Sequence, residues 1–261
     1  LSSTNGISFT GGSLNVGANT ATLTATSGSI TGTDGGPIDI VAGTLDLSVA
    51  GTGNDVGTSG ADRLEINATN LDITTGGGAT DDVFVEDLAG GVTIGQIDAG
   101  SGNVTISSAG QLVENSDPDV DIIATQLTAD AATTISLDTT VGSLDIASTT
   151  AGNIDIDETN AITLVDASTN DGTITVDAGG TITASLVTAG GATGNVNLTA
   201  SAGDIDAGAI TATGNDVVLD AAGSITDGNA ATTNIASTNL DATAATGIDL
   251  DTDTDSITAS V

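Results

Sequence analysis

The chain of 261 residues contains no Cys, His, Trp, Tyr or Met, and its single cationic side chain is Arg63. Without cysteine there is no disulfide, no thiol chemistry and no thiolate metal site. Without His, Lys or Tyr the usual general acids, bases and nucleophiles are missing, apart from carboxylates. A paired-carboxylate glycosidase also needs groups that hold a sugar, and the only aromatic residues are Phe9 and Phe84. The expectation is that the protein is not an enzyme. One cation against 35 acids gives a net charge of −34. That field repels nucleic acid and anionic lipid alike, so neither is an expected partner. No apolar run approaches the ~18 residues of a membrane helix, so membrane insertion is not expected. Leu1 opens the sequence with no initiator Met, basic stretch or apolar leader before it, which suggests a mature or excised segment.

What is present is a repeat. The stretch Gly172–Gly214 holds two successive copies of one unit of about 21 residues, GTITVDAGGTITASLVTAGGA and TGNVNLTASAGDIDAGAITATG. Each copy has a short alternating strand (Ile174-Thr175-Val176, then Val196-Asn197-Leu198) and a small-residue corner. A second strand follows (Ile182-Thr183-Ala184, then Ile205-Asp206-Ala207), and then a third apolar point (Leu186, then Ile210). A unit this short cannot bury its own apolar face and must stack on its neighbours. One predicted column runs Ile135, Ile154, Ile174, Val196, Val217 and Leu240. A second runs Leu144, Ile162, Ile182, Ile205, Ile225 and Ile248, and a third Leu186, Ile210, Ile235 and Ile257. The 36 glycines and two prolines, Pro37 and Pro118, suit many tight corners, and no segment has helical periodicity with caps.

The predicted fold is therefore all-β: a parallel β-helix (β-solenoid) of roughly a dozen turns of about 20 residues, with two or three short strands per turn and almost no helix. It is read as a single solenoid over 1–261. Repeats are irregular over 1–101, with an excursion near 51–62 (GTGNDVGTSGAD). A transition over 102–131 carries a loop at 115–121, and the repeats are regular over 132–261. The middle residue of each strand triplet is expected to face water, as Asp at Asp39, Asp46, Asp72, Asp121, Asp145, Asp155, Asp206 and Asp249.

The phrases GNVTISSAGQLV, GNIDIDETNAITLV, GTITVDAGGTITASLV and GNVNLTASAGDIDAG resemble the repeats of filamentous haemagglutinin-type adhesins, best over 102–260. That resemblance implies a right-handed parallel β-helix on a bacterial surface. Residue pattern and resemblance together lead to the expectation of an extracellular or cell-surface structural protein. It would be a subunit or segment of a bacterial or archaeal fibre, sheath or adhesin. Neither terminus shows polar capping, so the expectation is truncation from a longer chain or head-to-tail self-association into a filament. The alternative is an adhesin module that binds carbohydrate, such as a cell-surface glycan, or a host surface through its loops. A remoter one is an ice-binding solenoid built on threonines such as Thr20, Thr22, Thr24, Thr173 and Thr175.

Clustered carboxylates suit Ca²⁺, a cation with six to eight oxygen ligands. The candidates are the runs Asp117, Asp119, Asp121 and Asp251, Asp253, Asp255, together with Asp55 and Asp62. The adjacent pair Asp81-Asp82 is a further one. The commoner reading of such runs is a solvated strand edge. Three N-x-S/T sequons, at Asn67, Asn103 and Asn197, are glycosylation candidates.

Overall fold

β-branched aliphatics alternating with Thr, Asn and Asp make each short segment a strand with one apolar face. Burial follows that alternation, as in Ile174–Ala178, where the first, third and fifth residues are buried. The computed structural model describes residues 1–33, 37–60, 62–230 and 232–261. It is all-β, with no helix among the described residues, and its parallel strands wind a β-solenoid of about 11 turns. Two compact units, Leu1–Ala131 and Ala132–Val261, divide it.

In the second unit the first predicted column forms as read. Ile135, Ile154, Ile174, Val196, Val217 and Leu240 are successive partners in parallel register. The second column holds from Ile162 through Ile182, Ile205 and Ile225 to Ile248. Leu144, however, stands over Leu164 rather than Ile162, ahead of a register shift at Asp145. A slip of two residues leaves the same face inward, so alternation does not distinguish Ile162 from Leu164. The third column contains Val187, not Leu186: Ala167, Val187, Ile210 and Ile235 are in register, and Leu186 is 39% exposed. The strand Ile182–Ala189 turns a corner at Ser185 and Leu186, two consecutive exposed residues, and so changes parity there. Ile257 stacks on Leu240 and thus joins the first column.

The first unit is more regular than its sequence suggests. Ile7, Ile30, Val56, Val83, Val104 and Leu127 form one continuous column. Val56 is fully buried, although it lies in the stretch read as an excursion. One apolar residue among ten polar or glycine neighbours completes that turn. Gly57 beside it has φ of +78°, and the Phe84 carbonyl occupies the place of a Cβ, so only glycine fits. A second face stacks Leu23, Leu47, Ile73, Ile97 and Ile122. Two residues expected to face water do not: Asp39 is 2% exposed and Asp121 1%. Asp39 accepts a hydrogen bond from the Glu65 N–H at 3.0 Å, and a carboxylate that caps the next turn points inward. Residues 115–119 form an exposed loop, shorter than the 115–121 read from the sequence.

Ile182, fully buried between Ile162 and Ile205, tests the column. Ile182→Ala should cost about 2–5 kcal/mol of unfolding free energy. Thr183→Ala, one residue along on the outer face, should stay within about 0.5 kcal/mol. Denaturant titration followed by circular dichroism measures both.

Candidate functional site

In-register stacking places like residues directly above one another, with strands ~4.8 Å apart. On the outside this produces acidic ladders. Asp138, Asp157 and Asp177 are consecutive partners, and Asp155 lies two residues from Asp157 on the same outer face. Asp46 stands over Asp72, and Asp145 pairs with Asp166. Partial burial first, and then the repulsion of Asp138, Asp177 and Asp155, push the Asp157 carboxyl above its ordinary range. Asp155 rises in the same way, by burial and then by Asp177 and Asp138. Burial also raises Asp72, with help from Asp46 and Asp117, and Asp166, with help from Asp145. Threonine interrupts the ladder beyond Asp177, where the partners run Thr199, Asp220 and Thr243. The threonine columns are interrupted in turn: Thr22 meets Asp46, and Thr175 lies between Asp155 and Asn197.

The proposed cation ligands are distributed unevenly. Asp117 and Asp119 are exposed on the 115–119 loop, while Asp121 is buried and its carbonyl accepts the Ile97 N–H at 2.7 Å. Asp253 and Asp255 alternate along the strand Thr252–Ser260 and line an open groove of about 290 Å³ with Thr213, Ser237 and Thr238. Asp251 precedes that strand and is held through its own N–H by Asn234 Oδ1 at 2.8 Å. Asp62 is exposed. Asp55 is half-buried and faces Asp82 and Asp81; burial raises its pKa, and those two charges add to the rise.

Asp55 and Asp82 belong to a feature the sequence reading missed. At the residue before several buried strands, a side-chain oxygen accepts the backbone N–H of the next turn. Ser29 Oγ accepts from Asp55 at 2.9 Å, Asp55 Oδ1 from Asp82 at 2.9 Å, and Asp82 Oδ1 from Asn103 at 2.7 Å. The second unit repeats the device: Asn153 Oδ1 accepts from Thr173 and Asn195 Oδ1 from Asp216, both at 3.0 Å. The GN dipeptides at 152–153 and 194–195 were the available signal in the second unit. Asp81 and Glu158 each accept three hydrogen bonds. Fully buried, Asp81 accepts the N–H groups of Gly53, Asn54 and Gly78 and thereby pins two turns of the corner. Glu158 does similar work in the alanine column of Ala178, Ala200, Ala221 and Ala244. It accepts from Thr139 Oγ1 at 2.8 Å and from the N–H groups of Val141 at 3.0 Å and Asn160 at 2.9 Å. Burial dominates and raises its pKa, as it does for Asp87, where Ser108 Oγ and the Gly91 N–H partly offset it.

The three sequon asparagines are half-buried. Asn103 donates its side-chain amide to Asp82 Oδ1 at 3.2 Å and Asn197 to Thr175 Oγ1 at 3.4 Å, while Asn67 stacks on Val41. No helix among the described residues is long and apolar enough to cross a membrane.

These shifts fix the direction of the pH response. A carboxyl whose pKa is higher folded than unfolded holds its proton more tightly when folded. That contribution is complete below the unfolded pKa and is lost as pH rises through the folded one. Asp39, Asp55, Asp72, Asp87, Asp155, Asp157, Glu158 and Asp166 are all shifted up, against Asp227, which the Asn234 amide holds down. The thermal midpoint should therefore rise as pH falls from neutrality into the carboxylate range, and salt at neutral pH should produce part of the same rise. Asp157→Asn should stabilise by about 0.2–1 kcal/mol at low salt, with the gain shrinking in high salt. A scan against protein-family models and searches of curated proteins and of solved structures find no match to this chain.

Proposed function

We propose that the protein is structural: an extracellular β-solenoid that forms part of a surface fibre, sheath or adhesin. One observation carries this reading. The in-register stack runs to an edge strand, Thr252–Ser260, which pairs with Ile235–Ala244 on one side and with no other strand among the described residues. On it Ile257 continues the first aliphatic column and is 55% exposed. An edge of unpaired N–H and C=O groups over an uncovered apolar column is a template for one more turn. Another copy added head-to-tail would supply such a turn, through an open heterologous contact of the kind that builds filaments. The acidic ladders keep such a fibre soluble and gather counter-ions, with Ca²⁺ the divalent ion best suited to their oxygens.

A second reading has its own support. The 115–119 loop is exposed and stiffened by two side-chain turns: the Asp117 N–H donates to Asn115 Oδ1 at 3.0 Å, and the Asp119 N–H to Asp117 Oδ1 at 2.9 Å. A firm polar loop on a solenoid is where an adhesin would contact a glycan or a host surface.

Electron microscopy of the purified protein, with sedimentation across a concentration series, tests the first reading. Wild type should form filaments or longer rods with rising concentration, and Ile257→Asp should remain dispersed. A wild type that stays monomeric at every concentration, with or without Ca²⁺, would sink the assembly reading. Glycan binding lost on trimming the 115–119 loop would favour the second. Chelator should lower the melting temperature, and an unchanged melt removes Ca²⁺ from the account.

A further inference from the structure

The sequence has one Asp–Pro bond, Asp117–Pro118, because Pro37 follows Gly36. Its amide nitrogen is tertiary and more basic than an ordinary peptide nitrogen, so it is the better leaving group once protonated. The β-carboxylate of the preceding aspartate can attack its own backbone carbonyl through a five-membered ring. In an unfolded chain that carboxylate samples many rotamers. Here it is held. Asp117 Oδ1 accepts the Asp119 N–H at 2.9 Å, which keeps the carboxylate folded back over the 117–119 backbone, and the Asp117 N–H is itself tied to Asn115 Oδ1 at 3.0 Å. Ser116, the residue before, has φ of +63°, a conformation that costs a non-glycine residue energy. Residues 115–119 are all exposed, so water and acid reach the bond.

We propose that Asp117–Pro118 is a built-in, acid-triggered scission site of this protein. A bond forms between a carboxylate oxygen of Asp117 and the Asp117 carbonyl carbon. The bond from that carbon to the Pro118 nitrogen breaks, with its electron pair going to nitrogen, which takes a proton from solvent. Water then opens the cyclic anhydride. The products are a chain ending in Asp117, with two carboxyl groups, and a chain beginning at a Pro118 amine; one water is consumed. The charged groups facing the site are Asp119 within the loop and Asp72 on the strand Leu64–Thr74, with Asp46 stacked beside Asp72. Gln96 holds the far side of the loop through the Val120 carbonyl at 3.0 Å.

The cut does not release the pieces. Leu112–Glu114 before the loop pairs with Val92–Ile94, and Ile122–Ile123 after it pairs with Ile97–Asp98. Across the cut, Asn103–Ser108 lies along Gln126–Ala131 in six registered pairs. The product is a nicked solenoid whose two chains remain laddered together.

The test is incubation of the whole chain at about pH 3.5, the range in which carboxyl and carboxylate forms coexist. Samples are followed by mass spectrometry under denaturing conditions and by size-exclusion chromatography under native ones, with a parallel sample unfolded in guanidinium. The expected result is fragments 1–117 and 118–261, produced about tenfold faster from the folded chain than from the unfolded one, as pre-positioning of the carboxylate requires. They should co-elute as one particle under native conditions. Pro118→Ala, with its poorer leaving amine, and Asp117→Glu, which needs a six-membered ring, should each slow this cleavage. Cleavage no faster in the folded chain than in guanidinium would overturn the proposal without recourse to any variant. So would a first cut at another bond.

Discussion

In this solenoid the nearest neighbour of almost every side chain is the equivalent side chain one turn away, at the ~4.8 Å spacing of paired strands. That constraint decides what each column may contain. For Ile, Val and Leu the arrangement is favourable at every step, since each buried aliphatic side chain contributes roughly 1.5–3 kcal/mol and shapes repeat without a gap. For Asp the same register is unfavourable, because carboxylates that meet on the surface repel. The chain therefore carries ladders such as Asp138–Asp157–Asp177 only over short runs before Thr199 intervenes. Interior and exterior obey one geometry with opposite signs.

Polar groups at the corners resolve a second difficulty. Between strands the backbone leaves the ladder, and its N–H groups need acceptors. The aspartates and asparagines that precede the strands provide them, turn by turn, while Asp81 and Glu158 do so from fully or nearly buried positions. The acidic composition thus has two parts that the total charge conceals. Some carboxylates belong to a solvated coat that cations can screen, and others are structural acceptors enclosed by the fold.

The columns were legible because β-branched residues alternate with polar ones at a nearly constant period, so Ile135 through Leu240 could be aligned by counting. Parity at the corners was not. The Ser185-Leu186 bend turns the strand to a new face, which is why Val187 and not Leu186 is inside. Val56 was hidden because a single apolar residue carries its turn, and periodicity needs more than one. Asp39 and Asp121 were assigned to the surface as the middle residues of strand triplets, yet both lie inside, just before the strands that begin at Ile40 and Ile122. Asp81 was legible only as half of an acidic pair, since its partners Gly53 and Asn54 are 28 and 27 residues away and meet it only after stacking.

The two Asp-x-Asp-x-Asp runs show how far a motif depends on its setting. In Asp251–Asp255 a strand keeps the alternation, so Asp253 and Asp255 share one outer face and one groove. In Asp117–Asp121 a proline stands at the second position and a strand cannot form, because its ring fixes φ and removes a ladder donor. The same spacing then yields two exposed carboxylates in a tight loop and a third buried at the start of the next strand. One run is a surface that an adjacent turn or a cation could cover. The other is a break in the repeat, where the Asp117 carboxylate accepts the N–H of Asp119. Within a chain whose regular parts differ only by their place in the stack, distinctive chemistry arises where stacking fails.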